Sequence, residues 1–279
     1  MTAPIALANG RYLLVSPLGE GGMATVYRAF DQRLQVWRAI KVLAPQYAKK
    51  PKLRARFEAE AQTMALLEHP NIVRVYDVGT DGPSPYIVME LVTGGALVDW
   101  LEDHGPMPPR MAVDTIIATC RGIQAAHAKG IIHRDIKPHN VMVTHEGVCR
   151  VTDFGIARVG DTDNSMTKTG AVMGTWGYMA PEQRTNAKAV DERADVYAVG
   201  ATLYTLLVDR MPMDLFAAEP GDTTMEGMDD HLVPIVLKAS MYRREERYDN
   251  LEAFCQALQA VYNDLPETPA GTPPLARDP

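Results

Sequence analysis

Between about Arg11 and Leu91 the hydrophobic positions come in short runs rich in β-branched and aromatic residues: Tyr12–Val15, Val36–Leu43, Ile72–Tyr76 and Tyr86–Met89. Gly, Pro and Asp punctuate the runs, and the pattern predicts strands. One stretch breaks it. In Arg56–Glu68 the apolar residues Phe57, Ala61, Met64 and Ala65 recur at helical spacing and predict a helix. After Thr93-Gly94-Gly95 the period changes. Pro109 opens a helix whose face is Val113, Ile116, Ile117, Cys120 and Ile123, and Gly130 closes it. Residues 193–208 predict a helix apolar on most sides. A last helix opens on Asp249-Asn250-Leu251-Glu252, a D-x-x-E capping pattern, with the face Leu251, Phe254, Cys255, Leu258, Val261 and Tyr262.

The order is therefore a β-rich first part, a hinge near residues 91–95 and a helix-rich second part. The stretch 265–279 holds five prolines and no periodic face, and is expected to be a disordered tail. The longest strongly apolar uncharged run, Val196–Val208, has 13 residues, short of the about 20 that cross a membrane. Met1–Gly10 lacks the basic and long apolar regions of a signal peptide. A soluble chain with no membrane span is expected.

Composition narrows the picture further. With 46% hydrophobic and 23% charged residues, the 279-residue chain is ordinary globular protein. Its net charge of −7 is the wrong sign for a nucleic-acid binder. Three scattered cysteines, Cys120, Cys149 and Cys255, fit neither a disulfide scaffold nor a structural zinc site, and point to a reducing cytoplasm.

Three segments carry chemistry. Leu18-Gly19-Glu20-Gly21-Gly22-Met23-Ala24-Thr25-Val26 is a Gly-rich turn between strands, able to lie against phosphates; alone it reads equally as a hairpin turn. Ala39-Ile40-Lys41-Val42-Leu43 puts a lysine inside an apolar strand, where a buried ammonium needs a partner. Glu60, in the first helix, can supply it. The third segment pairs His133-Arg134-Asp135-Ile136-Lys137-Pro138-His139-Asn140 with Val151-Thr152-Asp153-Phe154-Gly155. One carboxylate to orient a hydroxyl, one to hold Mg2+, an amide oxygen for a second Mg2+ and a cation for a γ-phosphate are what phosphoryl transfer requires.

Taken with Ala180-Pro181-Glu182 and Asp195, this set resembles the eukaryotic-like protein kinase family over roughly residues 11–263. Gly174–Gln183 and Asp195–Gly200 are most similar to its bacterial Ser/Thr branch. The resemblance implies an α+β, bilobal protein-kinase fold: an extension over 1–10, a small β-rich N-lobe with one regulatory helix over 11–92, a larger helical C-lobe over 93–263, and the disordered tail over 264–279. It implies an enzyme moving the γ-phosphate of ATP to Ser/Thr hydroxyls of protein substrates in intracellular signalling, with Mg2+ as cofactor and Mn2+ as an alternative.

The residue roles implied by the resemblance are these. Leu18, Gly19, Gly21 and Val26 cover the nucleotide. Ala39 and Met142 enclose adenine, Met89 is the gatekeeper, and Glu90-Leu91-Val92 form the hinge that reads the base. Lys41 holds the α/β-phosphates and pairs with Glu60. Asp135 is the base, Lys137 neutralises the γ-phosphate, and Asn140 and Asp153 bind the metal. Met64, Val75, His133 and Phe154 form an apolar column anchored by Asp195. Arg247 pairs with Glu182, and Thr175 shapes the hydroxyl slot. Thr167 and Thr169 are expected phosphosites, modified by the kinase itself through a transient homodimer or by an upstream kinase. His69 is expected in a turn and His127 packed in its helix.

Ala24 replaces the third glycine of the loop, and Ala96 stands where many relatives that prefer basic substrates carry an acid. A pseudokinase would lack Lys41, Asp135, Asn140 or Asp153, and all four are present. A small-molecule kinase of related fold would lack the long segment from Asp153 to Glu182.

Overall fold

The computed structural model describes residues 5–21, 23–154, 176–185 and 190–277. The chain divides into two compact units, one of Met1–His69 with Val73–Val92 and one of Pro70–Ile72 with Thr93–Pro279.

The first unit is built on an antiparallel sheet of six strands in the order β1-β2-β3-β4-β6-β5. The strands are β1 (Ile5–Leu7), β2 (Tyr12–Glu20), β3 (Ala24–Asp31), β4 (Val36–Leu43), β5 (Val75–Asp81) and β6 (Ser84–Met89). The segment assigned to an extension thus supplies an edge strand, β1, through Ile5, Ala6 and Leu7 paired with Leu14, Leu13 and Tyr12. Leu7, Tyr12, Leu14, Ala29, Ile40, Tyr86 and Val88 form an apolar cluster on the sheet. β2 runs past its apolar start through two register shifts, one at Pro17/Gly19, where a bulge accommodates a proline that cannot donate to the ladder.

Two helices follow β4, α1 (Pro45–Ala48) and α2 (Pro51–Ala65), each with proline in its first turn. α2 buries Phe57, Glu60, Ala61 and Met64, spaced for one face, while Ala65 is exposed. A carboxylate rather than Ala65 therefore completes the expected stripe, since Glu60 has a cation to meet.

The predicted strand Ile72–Tyr76 is displaced. β5 starts at Val75, and Ile72 instead bridges Val151 in the second unit. Asn71 is the cause: its amide donates to the Cys149 carbonyl at 2.9 Å, and its own carbonyl accepts the Val151 N–H at 2.9 Å.

The second unit contains α3 (Leu97–His104), α4 (Pro109–His127), a short hairpin of β7 (Val141–Val143) and β8 (Cys149–Val151), α5 (Pro181–Thr185), α6 (Arg193–Val208), α7 (Val233–Ala239) and α8 (Leu251–Val261). The expected face of α4 is buried throughout. α6 is buried from Ala194 to Leu207 and forms the centre of the unit. α8 is capped by Asn250, whose Oδ1 accepts the Ala253 N–H at 2.9 Å, not by Asp249, whose carboxylate meets Arg193 at 2.9 Å. Among the described residues no helix is long and apolar enough to cross a membrane.

The expectation of a disordered tail over 264–279 is corrected for its described part, 264–277. Tyr262–Asp264 continue α8 as a 3-10 turn, and Leu265 is buried, with its carbonyl accepting Arg110 Nε at 3.0 Å. Residues 272–277 return to α3, where side chains supply the hydrogen bonds that proline-rich backbone cannot make with itself.

Candidate active site

In the first unit the site residues lie along one line of the sheet. Gly19 pairs with Val26, Val26 with Lys41, and Lys41 with Ile87, across β2, β3, β4 and β6. The turn between β2 and β3 is closed by the Gly21 N–H donating to the Ala24 carbonyl at 2.9 Å. Leu18 is exposed, Val26 is half-buried, and Ala39 is buried on β4 opposite Met89. Glu90 continues from Met89, and its N–H donates to the Arg74 carbonyl at 2.8 Å. Val92 is half-buried at the end of the unit.

Lys41 Nζ donates to Glu60 Oε1 at 2.7 Å, and both side chains are largely shielded, at 15% and 10% exposure. The pair resolves the conflict of an ammonium on an apolar strand, because each charge offsets the other's desolvation. It also ties the middle of α2 to the sheet.

In the second unit, residues 133–140 are held from below by α6. Asp195, fully buried in the first turn of α6, accepts the His133 N–H on Oδ2 and the Arg134 N–H on Oδ1, both at 2.8 Å. His127 Nε2 lies 2.7 Å from Oδ2. Burial opposes ionisation of Asp195, but the His127 hydrogen bond and the Arg134 amide outweigh it and hold the carboxyl below its ordinary value.

His133 is buried and stacked against Phe154, with ring centroids 4.4 Å apart. Its Nδ1 accepts the Asp135 N–H at 3.2 Å, so Nε2 carries the proton and donates to the Thr152 carbonyl at 3.0 Å. Burial pushes its pKa down, which agrees with a neutral ring.

Two side chains converge on Asp135. Lys137 Nζ lies 3.4 Å from Oδ2, and Asn140 Nδ2 donates to Oδ2 at 3.1 Å and to the Asp135 carbonyl at 2.7 Å. With its nitrogen committed in this way, Asn140 presents its oxygen as an acceptor. Asn140 closes a 3-10 turn (Pro138–Asn140), and its carbonyl accepts the Thr152 N–H at 3.0 Å, one residue before Asp153. Arg134, just before Asp135, and Asp153 itself adopt left-handed backbone, at φ 68° and 56°. Met142, on β7, bridges Ala96.

Arg247 is fully buried and grips Glu182 through both carboxylate oxygens at 2.7 Å. Its remaining donors meet the carbonyls of Met241, Arg193 and Tyr242, so the expected pair is fully satisfied. Gln183 extends the same corner: its amide donates to the Arg134 carbonyl at 3.0 Å while its oxygen accepts the Ala180 N–H.

Among the described residues no group of three His, Cys, Asp or Glu side chains forms a metal cage. A magnesium ion carried by phosphates needs only one or two protein oxygens, and an Asn140 oxygen with an Asp153 carboxylate fits that demand. Thr167, Thr169, Thr175 and Gly155 lie outside the described residues.

Two contributors were missed in the sequence. His127 is packed, as expected, but it also reaches Asp195, and its only signal is its position six residues before His133. Gln183 stands beside Glu182, yet nothing local marks it as a link to Arg134.

The protein kinase domain family model matches residues 12–263. Serine/threonine-protein kinase PknB of Mycobacterium tuberculosis is 40% identical over 290 aligned residues, which cover 96% of this chain and 46% of that protein. PknL of the same organism, also a serine/threonine-protein kinase, is 36% identical over 93% of this chain and 68% of that protein. The chain thus spans about half the length of the PknB relatives. The crystal structure of the Mycobacterium tuberculosis PknI kinase domain superposes with a TM-score of 0.74 at 26% identity, covering 95% of this chain and all of that one.

Proposed function

The chain belongs to the protein kinase family, with its α+β fold, and from that premise we propose that it is a serine/threonine protein kinase transferring the γ-phosphate of ATP to hydroxyls of protein substrates. The observation that carries this is the convergence of Lys137 and Asn140 on the Asp135 carboxylate. Both neighbours hold that carboxylate in place, where it can receive the proton of a substrate hydroxyl.

Each unit has its own share of the chemistry. In the first, Leu18, Gly19, Gly21 and Val26 cover the nucleotide, Ala39 and Met89 bound the adenine, and Glu90 and Val92 offer backbone groups to it. Lys41, aimed by Glu60, neutralises phosphate oxygens. In the second, Met142 lies against the base, Asp135 orients the hydroxyl, and Lys137 offsets charge on the transferred group. Asn140 and Asp153 hold Mg2+, or Mn2+ in its place, which supplies charge neutralisation on the phosphates when bound.

Thr167 and Thr169 are the proposed control sites. A phosphate there adds about −1.5 to −2 charges, able to pair with the Arg134 guanidinium. Mass spectrometry of wild type and Asp135→Asn separates self-modification, seen only in the wild type, from an upstream kinase, seen in both. Full activity of Thr167→Ala/Thr169→Ala with no phosphate on either residue in the wild type would refute the control. A cytoplasmic setting agrees with three free, buried cysteines.

The test of the activity is labelled ATP with Mg2+ and casein, followed by phosphoamino-acid analysis. Label on serine and threonine is expected. No transfer from the phosphorylated wild type would overturn the proposal.

A further inference from the structure

Residues 265–277 leave α8 and cross back to α3 by way of an exposed stretch over 266–271. Thr272 closes a turn on the Pro269 carbonyl, after which Pro273, Leu275 and Ala276 are half-buried while Pro274 and Arg277 stay exposed. Three features of that landing are specific. The buried Trp100 donates its indole N–H to the Pro274 carbonyl at 3.1 Å. The Arg277 N–H donates to the Gly94 carbonyl at 3.0 Å. The Arg277 guanidinium meets Asp103 Oδ2 at 2.6 Å and the Asp99 carbonyl at 3.1 Å, with the Asp99 carboxylate at 3.9 Å.

The receiving surface is shaped for this approach. A Cβ on Gly94 would stand 2.7 Å from the Val143 carbonyl oxygen, 2.8 Å from that of Thr144 and 3.0 Å from Ala276 Cβ, so the backbone of residues 143–144 requires glycine here, and its absent side chain also leaves room for Ala276. Gly95 holds φ 86° with Arg277 Cδ over it. Proline-rich backbone is stiff and leaves its carbonyls free to accept, which suits an indole donor and costs little ordering entropy, and the chain then bends at Leu275 and Ala276 to bring Arg277 over α3.

We propose that the α3 face formed by Asp99, Trp100 and Asp103 is a recognition site for a proline-rich segment carrying arginine, and that residues 272–277 occupy it as a releasable strap in cis. The ion pair is partly exposed, so the strap is held by a few modest contacts and exchanges on and off. A second segment of the same chemistry binds only when the strap lifts, and its apparent affinity is reduced by the fraction of chain with the site open.

The test reads no catalytic activity, so its outcome is separate from that of the proposed phosphotransfer. Hydrogen exchange at the Arg277 amide is measured in wild type, Arg277→Ala, Asp103→Ala and the double variant, with thermal melting confirming that each folds. Protection of about tenfold in the wild type is expected, lost equally in both single variants and in the double, since contacting residues are not additive. A labelled synthetic peptide with the sequence of residues 269–277 is then titrated into wild type and Arg277→Ala. If protection is about tenfold, the peptide binds Arg277→Ala about tenfold more tightly, and Asp103→Ala in that background removes binding. An unprotected Arg277 amide in wild type, additive losses, equal peptide affinity for the two chains, or no saturation of Arg277→Ala up to about 1 mM, a free energy near −4 kcal/mol, would each overturn the proposal.

Discussion

Asp195 Oδ1 accepts the backbone N–H of Arg134 at 2.8 Å. Through this bond a carboxylate buried at the start of α6 fixes the backbone of the residue just before Asp135, at a φ of 68° that a side chain rarely adopts. The aim of Asp135 is therefore set from the core and not only by its own neighbours.

Replacing Asp195 with Asn leaves one acceptor where two amides and His127 now converge. The expected loss is about 3 kcal/mol of stability, the scale of a broken buried charge network, read as a fall in the urea midpoint. Because the folded pKa of Asp195 is depressed, its contribution is present above about pH 3.9, the unfolded value. It is lost as pH falls through the lower folded value. The wild-type midpoint should therefore fall more steeply than that of Asp195→Asn below about pH 4, and parallel curves would contradict the assignment.

His133 makes a second pH dependence. Its folded pKa is depressed by burial, so the neutral ring stabilises fully above about pH 6.5, and that contribution fades as pH drops through the folded value. Nitrogen NMR should show the ring titrating below the ordinary histidine value of about 6.5, and neutral with its proton on Nε2 above that pH. A neutral ring with its proton on Nδ1 would rule out the acceptor role of Nδ1.

Gly200 lies within α6 where α7 crosses it, and an added Cβ would sit 2.6 Å from Ala239 Cβ. Gly200→Ala should cost about 1–3 kcal/mol by overpacking, despite alanine's better helix propensity. Thermal melting decides the sign, and a stabilised variant would mean that α7 gives way.

Much of this was legible along the chain. β4 spans the predicted Val36–Leu43, and α6 the predicted 193–208, because both are long apolar runs whose neighbours merely confirm them. Lys41 and Glu60 were pairable because a lysine inside an apolar strand called for a carboxylate and the middle of the first helix offered one. What escaped depends on contacts distant in sequence. Ile72 reads as a strand residue but goes to the second unit because Asn71 binds Cys149 and Val151. The tail lacks any periodic face, and its order comes from Trp100, Asp99 and Asp103 about 174 residues away. Segments with no local preference cannot announce partners that remote.

Lys41 and Glu60 should separate in their effects on phosphotransfer. Lys41→Met removes a cation from the phosphates and should cost about 100-fold or more in turnover. Glu60→Gln keeps the lysine and loses only its aim, so the loss should be smaller. Steady-state kinetics at saturating ATP checks the order; full activity in both variants would remove the pair from the mechanism.

The most direct measurement is phosphoryl transfer by Asp135→Asn beside its affinity for nucleotide. Asn retains the size of the side chain but cannot accept the hydroxyl proton. Turnover should fall by about 100-fold or more, the scale of a lost general base, while ATP affinity measured by calorimetry stays within about twofold, a change worth less than 0.5 kcal/mol. Turnover close to wild type in a folded, nucleotide-binding Asp135→Asn chain would contradict the assignment of Asp135 as the residue that receives the substrate proton.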